Sequence, residues 1–92
     1  MVAKKRDKLA VIFDILSIIR DKNNSIKPTP LLRLSNLSSQ RFAEYIPELI
    51  NKGFIFEFKD KSNKKFFSIT QKGFKFLEKY YSIKGLIEDL DL

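Results

Sequence analysis

The sequence predicts an α+β, mostly α domain built from three helices, a two-stranded hairpin and a C-terminal helix. Three observations predict it. Apolar residues recur at helical spacing through residues 9–19, 42–50 and 74–90. Residues 54–58 and 65–70 are instead rich in aromatic and β-branched residues, and they flank the turn-forming loop KDKSNK. Each helical stretch also opens on a residue able to cap it: Asp7, Thr29, Ser38 or Thr70.

Taken in order, residues 1–6 read as a frayed basic arm. Asp7 then caps a first helix that runs to about Arg20. Leu9, Ile12, Phe13, Leu16 and Ile19 form one apolar stripe, and Val11, Ile15 and Ile18 form a second line. A surface helix needs only one stripe. Two predict cover on both sides, by the chain's own core and by a partner subunit. Asp21, Lys22, Asn23, Asn24 and Ser25 make a polar loop. Thr29 before Pro30 reads as a cap with proline at the first helical position. Leu31, Leu32 and Leu34 carry a short second helix to about Leu34, and Ser35, Asn36 and Leu37 turn into the third. Two short helices joined by so few residues, the second one capped, give the helix-turn-helix pattern.

Ser38 caps the third helix, with Leu37 and Phe42 at the two positions of a hydrophobic staple. Phe42, Ile46, Leu49 and Ile50 form its buried stripe, and Gly53 stops it by entering the left-handed conformation at no Cβ cost. Pro47 removes one helical hydrogen bond and crowds the preceding turn, so a bend is expected over residues 43–47 rather than a break. Phe67 and Ile69 are the core residues expected of the ribbon. Phe54, Phe56 and Phe58 share a face, read as packing on the third helix in preference to stacking with bases. Thr70 caps the last helix. Phe76, Tyr80, Ile83, Ile87 and Leu90 follow the a/d rhythm of a coiled coil, while Phe74, Leu77 and Tyr81 form a neighbouring stripe to dock on the body. The seam either pairs with a second copy or folds back on its own body with Gly85 as the bend. The division expected is an arm (1–6), the helix–ribbon body (7–75) and a C-terminal dimerisation helix (76–92).

Composition narrows the function. The 92 residues carry 18 basic and 11 acidic side chains, a net charge of +7. Three of the acids, Glu88, Asp89 and Asp91, lie in the last eight residues, so residues 1–84 carry +10. Lys4, Lys5, Arg6 and Lys8 cluster at the start, and Lys59, Lys61, Lys64 and Lys65 surround the ribbon's turn. Such a field favours a polyanionic partner. With no cysteine and no histidine there is no disulfide scaffold, no thiolate chemistry and no commonest general base. No Gly-rich phosphate loop or metal-ligand spacing appears either. An enzyme is not expected, and no cofactor or metal is implied. No apolar run reaches membrane-spanning length and no signal-peptide pattern follows the basic start, so the expected location is cytoplasmic and nucleoid-associated, with no membrane partner.

The order helix, helix, helix, ribbon, helix is that of a winged helix, and the resemblance becomes specific in three segments. NLS entering the third helix, YIPELINKGFI through its end and FFSITQKGFKFLE crossing into the last helix resemble the small archaeal, Sulfolobus-type winged-helix DNA-binding proteins, which dimerise through a C-terminal helix. The elements G-[FL]-I and [LI]-T-x-K-G are shared more distantly with PadR-like and MarR-like regulators. The resemblance covers roughly residues 9–78.

It implies a homodimer on double-stranded DNA, a transcriptional regulator or chromatin-associated protein, with the third helix in the major groove and the ribbon tip on the backbone. On that reading Gln40 matches an adenine edge and Arg41 a guanine edge, while Glu44, placed at the same interface, repels the backbone unless it accepts from cytosine N4. Ser38, Ser39, Tyr45, Thr29 and Arg33 reach phosphates, as do Lys59, Lys61, Asn63, Lys64 and Lys65 from the ribbon. The dimer interface falls on Val11, Ile15, Ile18, Phe76, Tyr80, Ile83, Ile87 and Leu90. The alternative is a winged helix used as a protein–protein interaction module, which Glu44, Glu48 and the surplus phenylalanines favour. The target sequence, the regulatory sign and any small-molecule effector stay open.

Overall fold

The computed structural model describes residues 6–91 and contains α1 (Lys8–Asp21), α2 (Pro28–Ser35), α3 (Ser39–Asn51), β1 (Ile55–Lys59), β2 (Lys65–Ile69) and α4 (Gln71–Asp89). The basic arm of residues 1–6 lies outside the described residues except for Arg6. That side chain is not frayed. It ion-pairs with Asp14 of α1 and donates to the Ser35 carbonyl at 2.8 Å, satisfying one of the acceptors left open at the end of α2.

The central element is α1. Asp7 caps it by accepting from the Ala10 N–H. Val11, Ile12, Ile15, Leu16 and Ile19 are all buried, because α2, β2 and α4 all pack against this helix. The second apolar line is therefore covered by the chain itself. Val11 and Ile15 have no exposed surface left, and Ile18 is half-buried against the same core. These three residues do not form the partner-facing line the sequence suggested. Leu9, assigned to the core stripe, is instead 55% exposed.

Thr29 does not cap α2. The helix begins two residues earlier than expected, at Pro28, whose fixed φ and missing N–H suit the first helical position. Asn36, at φ 59°, ends it in the left-handed conformation that asparagine tolerates. Ser38 then caps α3 by accepting from the Arg41 N–H, above a buried Leu37 and a half-buried Phe42. The helix runs unbroken through Pro47. At its end Gly53 (φ 80°) donates to the Ile50 carbonyl and Phe54 to the Leu49 carbonyl, the paired bonds of a Schellman motif.

The hairpin pairs Ile55 with Ile69, Glu57 with Phe67 and Phe58 with Phe66. Its tip is held by Asp60, whose Oδ1 accepts from the Ser62 and Lys64 N–H groups, both at 2.9 Å. Ile55, Phe67 and Ile69 point into the core. A third strand position escaped the sequence reading. Ile26 exchanges both backbone hydrogen bonds with Phe67, and the Asn24 side chain accepts from the Ile69 N–H, extending the sheet edge. Phe56 and Phe58 lie on the opposite face from this core, 45% and 36% exposed, and so do not pack on α3.

Thr70 caps α4 by accepting from the Gly73 N–H, and its hydroxyl donates to the Gly53 and Phe54 carbonyls. One threonine thus ties the ends of α3, β1 and α4 together. Leu77 docks on the body as expected, whereas Phe74 stays exposed. Tyr81, though half exposed, meets Phe13 of α1 edge-on at 5.1 Å and accepts from Arg20 Nη2 at 3.3 Å. Phe76 turns inward, while Tyr80 is half-buried against α1 and still lines the cleft that holds Ile83 and Ile87. Phe76 meets Phe54 edge-to-face at 5.7 Å, and Tyr80 stacks on Phe13 at 4.4 Å. The helix continues through Gly85 without folding back. No helix among the described residues is long and apolar enough to cross a membrane.

Candidate nucleic-acid interface

The packing of α3 decides what it offers to a ligand. Ile46 and Leu49 bury its inner stripe, and Phe42, Tyr45 and Ile50 are half-buried beside them. Ser39, Gln40, Arg41 and Glu44 remain exposed on the first turns, next to Ser38 at the cap. Thr29 and Arg33 are exposed on α2, and Lys59, Lys61, Asn63, Lys64 and Lys65 on the hairpin. Of the residues expected at the interface, only Tyr45 is partly withdrawn.

Several of these residues gather beside α3 or on the hairpin. Arg41, Glu44 and Tyr45 line a polar cleft of about 230 Å³ together with Glu48 and Lys8. Arg41 lies back along the helix, its guanidinium 5.7 Å from the Tyr45 ring centroid and Nη2 3.5 Å from the hydroxyl. Glu48 is bracketed by Lys8 at 2.6 Å and Lys52 at 3.0 Å. Hydrogen bonds from these two ammonium groups hold its carboxyl below the usual range, and the same contact raises Lys8. The negative charge of Glu48 is thus offset within the chain, while Glu44 makes no ion pair with any described residue. Lys8 was noted only for its charge. Its partner lies too far along the chain for sequence spacing to suggest the pairing.

On the other flank, α3 and the hairpin enclose an open apolar groove of about 810 Å³, floored by Phe42, Ile46 and Phe67 and edged by Ala43, Pro47 and Asn51. Lys65 borders this groove and lies 3.6 Å from Glu57 across the hairpin, so it is less free than the lysines at the tip. Lys59 pairs with Lys65 in the strand register, and Lys61 and Lys64 belong to the tip held by Asp60. Asn63 takes φ 64° within that turn, a structural reason for its presence whatever it contacts.

A separate apolar surface runs along the far half of α4. Ile83, Leu86, Ile87 and Leu90 are all exposed, and Leu9 of α1 joins Ile83 and Ile87 around a cleft of about 260 Å³. Leu9 and Leu86 were not expected here. Leu9 falls on the core stripe by periodicity, and only the direction in which α4 leaves the body brings it beside Ile83.

A family model described as winged helix-turn-helix matches residues 5–88. An uncharacterized protein of Methanocaldococcus jannaschii is 38% identical over 79 residues, a match covering 86% of this chain and 74% of that protein. A second uncharacterized protein of the same organism is 34% identical over 83 residues, 90% of this chain but 36% of the relative. Among solved structures, Sso10a-2, a DNA-binding protein from Sulfolobus solfataricus, superposes with a TM-score of 0.74 at 20% identity, covering 92% of this chain and 85% of that one. The oxidized form of MarR from E. coli gives a TM-score of 0.72 at 24% identity, covering 83% of this chain. The chain spans 54% of the MarR chain.

Proposed function

The chain belongs to the winged helix-turn-helix family, and from that premise we propose that it binds double-stranded DNA as a homodimeric regulator or chromatin-associated protein. In this reading α3 enters the major groove and the lysine-bearing hairpin rests on the phosphate backbone. The observation that carries it is the outward face of α3. A helix capped at both ends and packed along one stripe leaves Ser39, Gln40, Arg41 and Glu44 free on its first turns, the part of such a helix that meets base edges. The pairing of Glu48 with Lys8 and Lys52 supports the same reading, because it offsets one of the two carboxylates that would otherwise repel phosphate.

Gln40 and Arg41 read bases, and the lysines at the hairpin tip contribute charge rather than sequence. Dimerisation uses the far half of α4 with Leu9. Exposed aliphatic side chains grouped in this way form the kind of patch that monomers rarely leave in water. A two-fold dimer would present two α3 helices to half-sites about one helical turn apart or a multiple of it. Binding to a random duplex, measured against salt, tests the reading. The log–log plot should fall linearly and steeply, at about 0.9 per phosphate neutralised. Changing Lys61 and Lys64 to Ala should weaken all sequences alike and flatten the slope. A binding constant indifferent to salt would refute the proposal.

A further inference from the structure

The outward face of the hairpin carries a feature that duplex binding does not use. Phe58 stacks on Phe66 across the strands with centroids 5.5 Å apart and planes 18° from parallel, and Phe56 follows at 6.0 Å from Phe58. Register and alternation put all three on the face opposite Ile55, Phe67 and Ile69, where Phe56 and Phe58 are exposed and Phe66 is half-buried, and Ser68 opposite Phe56 is covered. The Ile26 bridge widens this sheet by one strand position, and the next residue, Lys27, holds its ammonium 5.9 Å from the Phe66 centroid. Lys64, two residues before Phe66 and just outside β2, falls on the same side by strand alternation. At the base the row is closed, since Phe54 is capped by Phe76 and by Lys72, whose Nζ lies 4.7 Å from the ring centroid. Toward the tip it is open.

We propose that this face binds single-stranded nucleic acid, with Phe56, Phe58 and Phe66 as the stacking platform and Lys27 and Lys64 as the phosphate contacts on either side. The combination selects the occupant. Exposed rings alone would suit any apolar partner, but rings bordered by ammonium groups on a chain of net charge +7 suit a polyanion whose bases are free to stack. A duplex cannot meet them, because its base faces are already stacked on one another. An apolar peptide would leave the flanking lysines without a counter-charge. Stacking on such a platform tolerates any base, since every base has a π-face, so little sequence preference is expected.

The experiment is fluorescence anisotropy of the full chain with a labelled oligothymidine and, in parallel, with a mixed-sequence duplex. Wild type should bind the single strand. Phe58→Ala should weaken that binding about five-fold or more while leaving the duplex within about two-fold. Phe58→Leu keeps the apolar bulk and guards against a folding artefact, and it should lose single-strand affinity like Phe58→Ala. Phe58→Tyr should retain it. The proposal is overturned if wild type ignores the single strand, if Phe58→Leu binds it like wild type, or if duplex affinity falls in proportion. It is also overturned if Phe58→Ala converts an oligomer to a monomer in sedimentation, which would assign the face to a second copy. Because the duplex is measured separately, failure of the platform is distinguishable from failure of the duplex reading.

Discussion

Lys8 Nζ lies 2.6 Å from Glu48 Oε2, so the first residue of α1 is ion-paired to the third turn of α3. The same carboxylate bonds Lys52 at 3.0 Å, which makes it the point where α1 and the end of α3 meet electrostatically. Replacing Glu48 with Gln removes one negative charge from the flank of α3 and releases two ammonium groups. Duplex binding should tighten, and the salt dependence should steepen by on the order of one phosphate, about 0.9 in log–log slope. An unchanged slope would mean that Lys8 and Lys52 do not reach the DNA.

The same triad has a signature in pH. The Glu48 carboxyl is lowered by hydrogen bonds from Lys8 and Lys52, and Lys8 is raised by its bond to Glu48. A lowered acid contributes stability above its unfolded value and loses it as pH falls through the folded one. A raised base contributes below its unfolded value and loses it as pH rises through the folded one. The melting temperatures of wild type and Glu48→Gln should therefore differ by a small constant amount from mildly acidic to mildly alkaline pH. The two should converge once the carboxylate is protonated. The two lysines are exposed and Glu48 is only half-buried, so the offset should be modest and shrink with added salt. A difference that persists in acid would point to packing instead of charge.

Arg41 tests the reading of base sequence. At rest its guanidinium lies over Tyr45, and it must leave that ring to reach a guanine edge. Arg41→Ala should cost on the order of 1–3 kcal/mol on a site selected from random duplexes and much less on random DNA. Equal losses on both would reassign it to phosphate positioning.

The two glycines of α4 should respond in opposite senses. A Cβ at Gly73 would run into the Phe54 carbonyl and the Ile69 side chain, at the junction that Thr70 holds together. Backbone is the obstacle, so Gly73→Ala should destabilise by about 1–3 kcal/mol in urea unfolding. At Gly85 a Cβ meets nothing within 4 Å. Gly85→Ala should stabilise by roughly 0.5–1 kcal/mol through helix propensity alone. A neutral Gly73→Ala would show that this junction yields more than the packing suggests.

What the sequence could and could not reveal follows from the range of each interaction. Asp7, Ser38 and Thr70 cap where expected, because a cap bond closes within three residues. Thr29 fails because Pro28, its neighbour, is an equally good first helical residue. Periodicity correctly marked both sides of α1 as covered, but it carries no information on whether the cover is the same chain or another. Alternation likewise grouped Phe56 with Phe58 without saying which face turns inward. Burial of Ile55, Phe67 and Ile69 on the other side decides that. A single bridge residue such as Ile26 has no period to detect. At the candidate site, exposure of Gln40 and Arg41 was legible from the stripe opposite them. The Lys8–Glu48 pair, which joins helices distant in sequence, was not.

The proposed dimer keeps Ile83, Ile87 and Leu90, gains Leu9 and Leu86 and loses the α1 line, and this sharpens its test. Val11 and Ile15 are buried to the last atom within the chain, so a charge placed there would unfold it and report nothing about association. Ile83, Leu86, Ile87 and Leu90 are between 42% and 58% exposed, and Leu9 is comparably open beside them. Burying a large aliphatic side chain gains about 1.5–3 kcal/mol when it starts fully exposed. Two copies of a half-exposed set could still offset an association cost put at roughly 4–15 kcal/mol or more. Ile83→Asp with Ile87→Asp alters only this surface, leaving Leu77, Phe76 and Tyr80 to hold α4 on the body. Wild type should sediment as a dimer at micromolar concentration, and the double variant as a folded monomer with weaker duplex binding. A monomeric wild type would remove the dimer, and a variant that stays dimeric would move the interface elsewhere.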